Sequence, residues 1–115
     1  MPNWLIAADD RTGALEVAGA LVGSQGPAIV VSGPRSVHSL QATTVVVDIA
    51  TRHSTAAVAA ARSVIVEALP SERTAHKIDS TLRGNWAYEL VARHRVAGRR
   101  VLVIPALPHL GRTCL

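Results

Sequence analysis

The chain has 115 residues, enough for one domain with a real core, and 49% of them are hydrophobic against 17% charged, which excludes a disordered segment. A single cysteine, Cys114, excludes an intramolecular disulfide and fits a reducing, cytoplasmic setting; no basic leader precedes Asp9, and no apolar run reaches the ~20 residues of a membrane span. The net charge of +4, carried by eleven Arg and one Lys, suits a small anionic partner, whereas nucleic acid is not expected with only Trp4, Trp86 and Tyr88 to stack on bases.

Short β-rich runs alternate with longer helical stretches. Trp4–Ala8 reads as a buried strand, and Thr12–Val22 as a helix apolar nearly all round, with Glu16 its only charge. Pro27–Val31 is a second strand, and 32–43 a loop or short irregular helix around Gly33 and Pro34. Thr44–Ile49 is apolar on both faces and belongs in the middle of a parallel sheet. Thr55–Leu69 is an amphipathic helix whose inner face is read as Val58, Ala61, Ile65, Ala68 and Leu69. Thr74–Ile78 is a fourth strand, Trp86–Ala97 a helix closed by Gly98, and Val101–Ile104 a fifth strand. The expected fold is an open, mostly parallel five-stranded α/β sheet with flanking helices in Rossmann-like layers. Five strands have only three helices, so the domain reads as incomplete at its C-terminus. The bare sheet surface then calls for a missing domain or a second copy of the chain.

The four aspartates carry the functional signal. Asp9, Asp10, Asp48 and Asp79 each fall at the C-terminal end of an expected strand, the edge where open α/β sheets bind ligands. Capping and turn formation explain one or two of them, but not all four at one edge. Arg11, Arg52, Lys77 and Arg83 gather on the same edge, a mixed rim suited to a hydroxylated anion. The stretch from His76 to Asn85 is the richest, with Lys77 and Asp79 ahead of the small hydroxyl residues Ser80 and Thr81. Arg83, Gly84 and Asn85 then open a helix whose free N–H groups favour an anion. The denser cluster of Arg93, His94, Arg95, Arg99 and Arg100 lies at the opposite rim and reads as a solvated helix end.

Four segments, 8–14, 48–54, 77–85 and 105–113, resemble in order the N-terminal domain of the four-carbon acid sugar kinase family. They are an Ala-Asp-Asp opening running to Thr12-Gly13-Ala14, the Asp48 to Ser54 segment with Arg52, the run Lys77 to Asn85, and Pro105 to Thr113 with Gly111-Arg112-Thr113. The match from Asp79 to Asn85 is the specific one. Arg11 stands where that family has Leu, Ile78 where it has Thr, and Leu107 where it has Phe.

The resemblance implies ATP-dependent phosphorylation of a hydroxyl on a threonate- or erythronate-type acid. It implies Asp10 as the catalytic base or orienter. Asp9, Asp10, Arg52, Lys77, Asp79, Ser80, Thr81, Arg83 and Gly84 are implied as substrate-binding residues, with Arg52, Arg83 and Lys77 on the carboxylate, and no protein-held metal is implied. ATP and Mg²⁺ belong to the full-length family, whose nucleotide site lies in a C-terminal domain. These residues are expected to be the substrate-binding half, binding neither cofactor and showing no turnover alone. Two other readings compete. A receiver-type phosphoacceptor domain also uses an acid pair and a third Asp, matching Asp9, Asp10 and Asp48, but needs a Lys after its fifth strand, where this sequence has Pro105-Ala106-Leu107-Pro108. The third reading is an inert truncated fragment.

Overall fold

A computed structural model describes residues 1–34 and 42–105. The element order is β1 (Trp4–Ala8), α1 (Arg11–Gln25), β2 (Ala28–Ser32), β3 (Thr44–Asp48), α2 (Ala56–Glu67), β4 (Arg73–Lys77) and α3 (Trp86–Ala97). All strand pairs are parallel, and the sheet runs β2-β3-β1-β4. The Pro105–Thr113 segment beyond its proline and most of the irregular stretch after Pro34 lie outside the described residues.

The centre of the sheet follows directly from sequence. Leu5, Ile6, Ala7 and Ala8 of β1 stand beside Val45, Val46, Val47 and Asp48 of β3, and the seven apolar residues among them are almost wholly buried. Alternation along each strand sends these side chains to opposite faces. Leu5, Ala7, Val45 and Val47 meet Val66 of α2 on one face. Ile6, Ala8 and Val46 meet Ala14 and Ala18 of α1 on the other. Small residues on α1 let that helix sit close to the strands, and α2 and α3 pack side by side across the sheet from it.

The strand order matters for function. The chain leaves β1 through α1 on one face to reach β2, then leaves β3 through α2 on the other face to reach β4 beyond β1. The connections after β1 and β3 therefore diverge to opposite faces and open a crevice at the C-terminal ends of those strands. A receiver-type sheet runs 2-1-3-4-5, which is a different order.

Three expectations are corrected. The sheet has four strands among the described residues, not five. Val101–Ile104 has strand-like composition but pairs with no strand among the described residues, and these residues are 41–84% exposed. β-propensity marks a segment able to pair, while a strand exists only where a neighbour supplies hydrogen bonds. The inner face of α2 is Ala59, Ser63 and Val66, not the stripe through Val58 and Ile65. Both stripes have helical spacing, and the small Ala59 and Ser63 permit the close contact with α3, where the Ser63 hydroxyl donates to the Glu89 carbonyl at 3.2 Å. The basic cluster on α3 is not wholly solvated: Arg93 is 5% exposed, and its guanidinium meets Glu67 at 2.7 Å.

The two stripes of α2 can be told apart by substitution. Val66→Ala should cost about 2 kcal/mol through lost burial and a residual cavity. Ile65→Ala, at a half-exposed position, should cost under about 1 kcal/mol. Denaturant unfolding of both variants measures the difference.

Candidate functional site

Three turns build the rim: β1 to α1, β3 to α2, and β4 to α3. The first carries Asp9 and Asp10. Asp9 is 2% exposed, and its backbone carbonyl accepts the amides of Thr51 at 2.9 Å and Arg52 at 3.2 Å, which splices the second turn onto the first. Asp10 caps α1, with Oδ1 accepting the Gly13 amide at 2.8 Å. A Cβ on Gly13 would lie 2.9 Å from that oxygen, so glycine allows the cap to close.

Arg52 sits among the acids. Its Nε and Nη2 donate to Asp9 Oδ2 and Oδ1 at 3.2 and 3.0 Å, a bidentate pair. Its Nη1 lies 3.0 Å from Asp10 Oδ2, and Nη2 also lies 3.6 Å from Asp79 Oδ1. The hydrogen bond to Asp9, with the charges of all three acids, outweighs partial burial and pushes the Arg52 pKa up. A buried carboxylate unpaired at Asp9 would be costly, and Arg52 supplies the compensation.

The third turn is organised by Asp79. Its carboxylate accepts the Thr81 amide and hydroxyl, the Arg83 amide at 3.1 Å, and Arg83 Nε and Nη2 at 2.8 and 2.9 Å. The Arg83 guanidinium first, then the Thr81 hydroxyl, the Arg83 amide and Arg52, hold the Asp79 carboxyl far below the usual carboxylate range against the opposing effect of burial. The turn adopts left-handed backbone at Leu82 (φ 63°) and Gly84 (φ 87°). A Cβ on Gly84 would stand 2.8 Å from Asp9 Oδ2, so this glycine is where the third turn closes over the Asp9–Arg52 pair.

An open cleft of about 480 Å³ lies at this rim, within the roughly 300–1,000 Å³ of small-molecule sites. Asp9, Asp10, Asp48, Arg11, Arg52 and Arg62 are its charged walls. Asp48 is turned in by its own loop, Oδ1 accepting the Ala50 amide at 2.9 Å where Ala50 takes the left-handed φ of 52°.

The residues singled out from sequence do not all meet here. Asp9, Asp10 and Arg52 line the cleft, and Asp79 touches it through Arg52. Arg83 and Thr81 are bound to Asp79 on the adjoining turn, Gly84 backs Asp9, and Ser80 sits half-buried in the same turn. Lys77 is not among the residues lining the cleft: its side chain passes Gly13 of the Asp10 cap, and its Nζ donates to the Ile78 carbonyl at 2.7 Å and lies 3.8 Å from Glu16 of α1. A divalent cation does not fit this donor set, because Asp9 and Asp10 are already joined by Arg52. Among the described residues no group of three His, Cys, Asp or Glu could hold a metal ion. No helix among the described residues is long and apolar enough to cross a membrane.

Sequence reasoning missed the support beneath the rim. Glu89, fully buried on α3, accepts the Thr51 hydroxyl on one oxygen and meets His76 Nε2 at 3.1 Å on the other. Arg93 Nη1 donates toward His76 Nδ1 at 3.2 Å, which leaves Nε2 as the protonated nitrogen facing Glu89. Asn85 Nδ2 donates to the carbonyls of Thr51 and Ser54 at 3.0 and 2.9 Å rather than capping α3. Glu89 and Asn85 thus fix the turn that presents Arg52. The available signal was Glu89 itself, an acid on the helix face that follows the richest motif.

Two outcomes test this construction. Gly98→Ala, with φ 67° and nothing within 4 Å of the added carbon, should cost about 1 kcal/mol of backbone strain. Gly84→Ala combines the same strain with displacement of a buried carboxylate and should cost about 3 kcal/mol in denaturant unfolding. Asp79, whose folded pKa is depressed, contributes stability that is present above its unfolded value of about 3.9 and is lost as pH falls toward the folded value. The stability gap between the parent chain and Asp79→Asn should hold steady from pH 8 to pH 5 and shrink only below about pH 4, its size damped because Arg83 is exposed.

Comparison with known proteins places the chain in a family. A family model described as a sugar-binding N-terminal domain matches residues 4–115. The D-threonate kinase of Cupriavidus necator is 40% identical over 118 residues, an alignment covering 96% of this chain and 28% of that protein. The chain therefore spans little more than a quarter of the length of that curated relative. With the family model covering nearly the whole chain and a D-threonate kinase 40% identical to it, this chain belongs to the sugar-binding N-terminal domain family of the four-carbon acid sugar kinases.

Proposed function

We propose that this chain binds a four-carbon sugar acid of the threonate type in the rim cleft and presents one of its hydroxyls for phosphorylation by ATP. The observation that carries the reading is the Asp9–Arg52–Asp10 arrangement at the mouth of the crevice. Asp10 is the acid best placed to touch substrate. Its side chain is 28% exposed, and among the described residues each oxygen has one partner, the Gly13 amide or Arg52. A carboxylate oxygen has capacity for another bond, so Asp10 accepts a hydrogen bond from a substrate hydroxyl and orients it for attack.

Asp9 contributes through Arg52, since its carboxylate is almost wholly buried. Arg52, Arg83 and Lys77 supply positive field along the rim for an anionic substrate. Asp79, Ser80, Thr81 and Gly84 shape the adjoining wall. Phosphoryl transfer depends chiefly on positioning and charge stabilisation, and these residues position the acceptor. ATP and Mg²⁺ enter this proposal with the whole kinase, of which this chain is the N-terminal, substrate-binding part. The single cysteine supports a cytoplasmic setting.

Titration calorimetry of the 115-residue chain with D-threonate and its four-carbon stereoisomers tests the reading. Binding of at least one acid is expected, without ATP-dependent turnover. Asp10→Asn, which keeps the helix cap, should weaken binding at least tenfold, about 1.4 kcal/mol. A cooperatively folded chain that releases no heat with any of these acids defeats the proposal.

A further inference from the structure

Most cations near the rim are already occupied. Arg52 commits Nε and Nη2 to Asp9 and Nη1 to Asp10. Arg62 donates Nη1 to the carbonyls of Ile49 and Ala50, both at 3.1 Å. Arg83 is paired with Asp79, and Lys77 with the Ile78 carbonyl and Glu16. Arg11 differs from all of them. It is exposed, it lines the cleft beside Asp10, and no hydrogen bond or ion pair engages its side chain among the described residues.

Its position adds to its charge. Arg11 is the first residue of α1, so the positive end of the helix dipole lies behind it. Asp10, the residue before it, is the acid offered to a hydroxyl. A short molecule with a hydroxyl at one carbon and a carboxylate a few bonds away matches that adjacent acceptor and donor. A guanidinium grips a carboxylate with two parallel hydrogen bonds, and an unpartnered one does so without first breaking an internal ion pair.

We infer that Arg11 is the specificity-determining residue that binds the carboxylate of the sugar acid directly. The inference rests on the cleft being the sugar-acid site proposed above. Arg52 then acts as the organiser of the acid pair, while Arg11 distinguishes an acid from a neutral sugar of the same length.

The experiment compares a four-carbon sugar acid with its uncharged amide, using the full 115-residue chain and its Arg11→Leu and Arg11→Lys variants in calorimetry. D-threonate and D-threonamide are the probes. The parent chain is expected to prefer the acid at least tenfold. Arg11→Leu should bind acid and amide equally, losing that preference while its melting transition stays in place. Arg11→Lys should retain part of the preference, since the charge remains but the fork does not. An Arg11→Leu variant that keeps the full preference for the acid overturns this assignment and leaves the sugar-acid site standing. Failure of the parent chain to bind either probe overturns the site, and this inference with it.

Discussion

The architecture of the rim depends on how one buried carboxylate is compensated. Asp9 directly follows β1, one of the two inner strands of the sheet, where its side chain is shut away from water, and a carboxylate in that position needs a charged partner with matching geometry. Arg52 meets it with two hydrogen bonds and reaches it from a different strand, which ties the β1 and β3 ends together. The third nitrogen of the guanidinium goes to Asp10. One ion pair thereby sets the spacing of the acid pair, the path of the β3–α2 turn and the position of the cleft.

Other features follow as conditions for that pair. Gly84 is needed because the third turn passes so close to Asp9 that a side chain would collide with the carboxylate. Thr51, next to Arg52, is held from below by Glu89, and its carbonyl from the side by Asn85. Glu89 connects through His76 to Arg93, and Arg93 to Glu67, which also meets Arg99 at 2.6 Å. Polar groups so deeply placed are costly unless each is partnered, and here they partner one another. The support of the rim on this side is a connected buried network, not an apolar layer.

The division of labour between arginines is the functional consequence. Guanidinium groups at one rim look interchangeable when counted, yet each has a different set of partners once folded. Arg52 and Arg83 are structural partners of aspartates, whereas Arg11 has no such partner among the described residues. On the function proposed above, the first kind of cation holds the acids in place and the second is available to the ligand.

The amino-acid sequence by itself determined the strand-helix alternation, the two-sided burial of β1 and β3, and the gathering of all four aspartates at one edge. These follow from local rules: apolar runs of strand length must be buried, and a parallel sheet delivers strand ends to the same side. The specific run from Asp79 to Asn85 also identified the family. Tertiary structure decided the rest. Val101–Ile104 had the composition of a strand but no neighbour to pair with among the described residues, and α2 had two apolar stripes of equal periodicity, of which packing against β1, β3 and α3 chose one. The placement of Lys77 beside Glu16, the lack of an ion-pair partner for Arg11 among the described residues, and the burial of Glu89 beneath Thr51 all depend on which surfaces meet, since partners tens of positions apart in the chain are fixed only when the sheet and its helices close together.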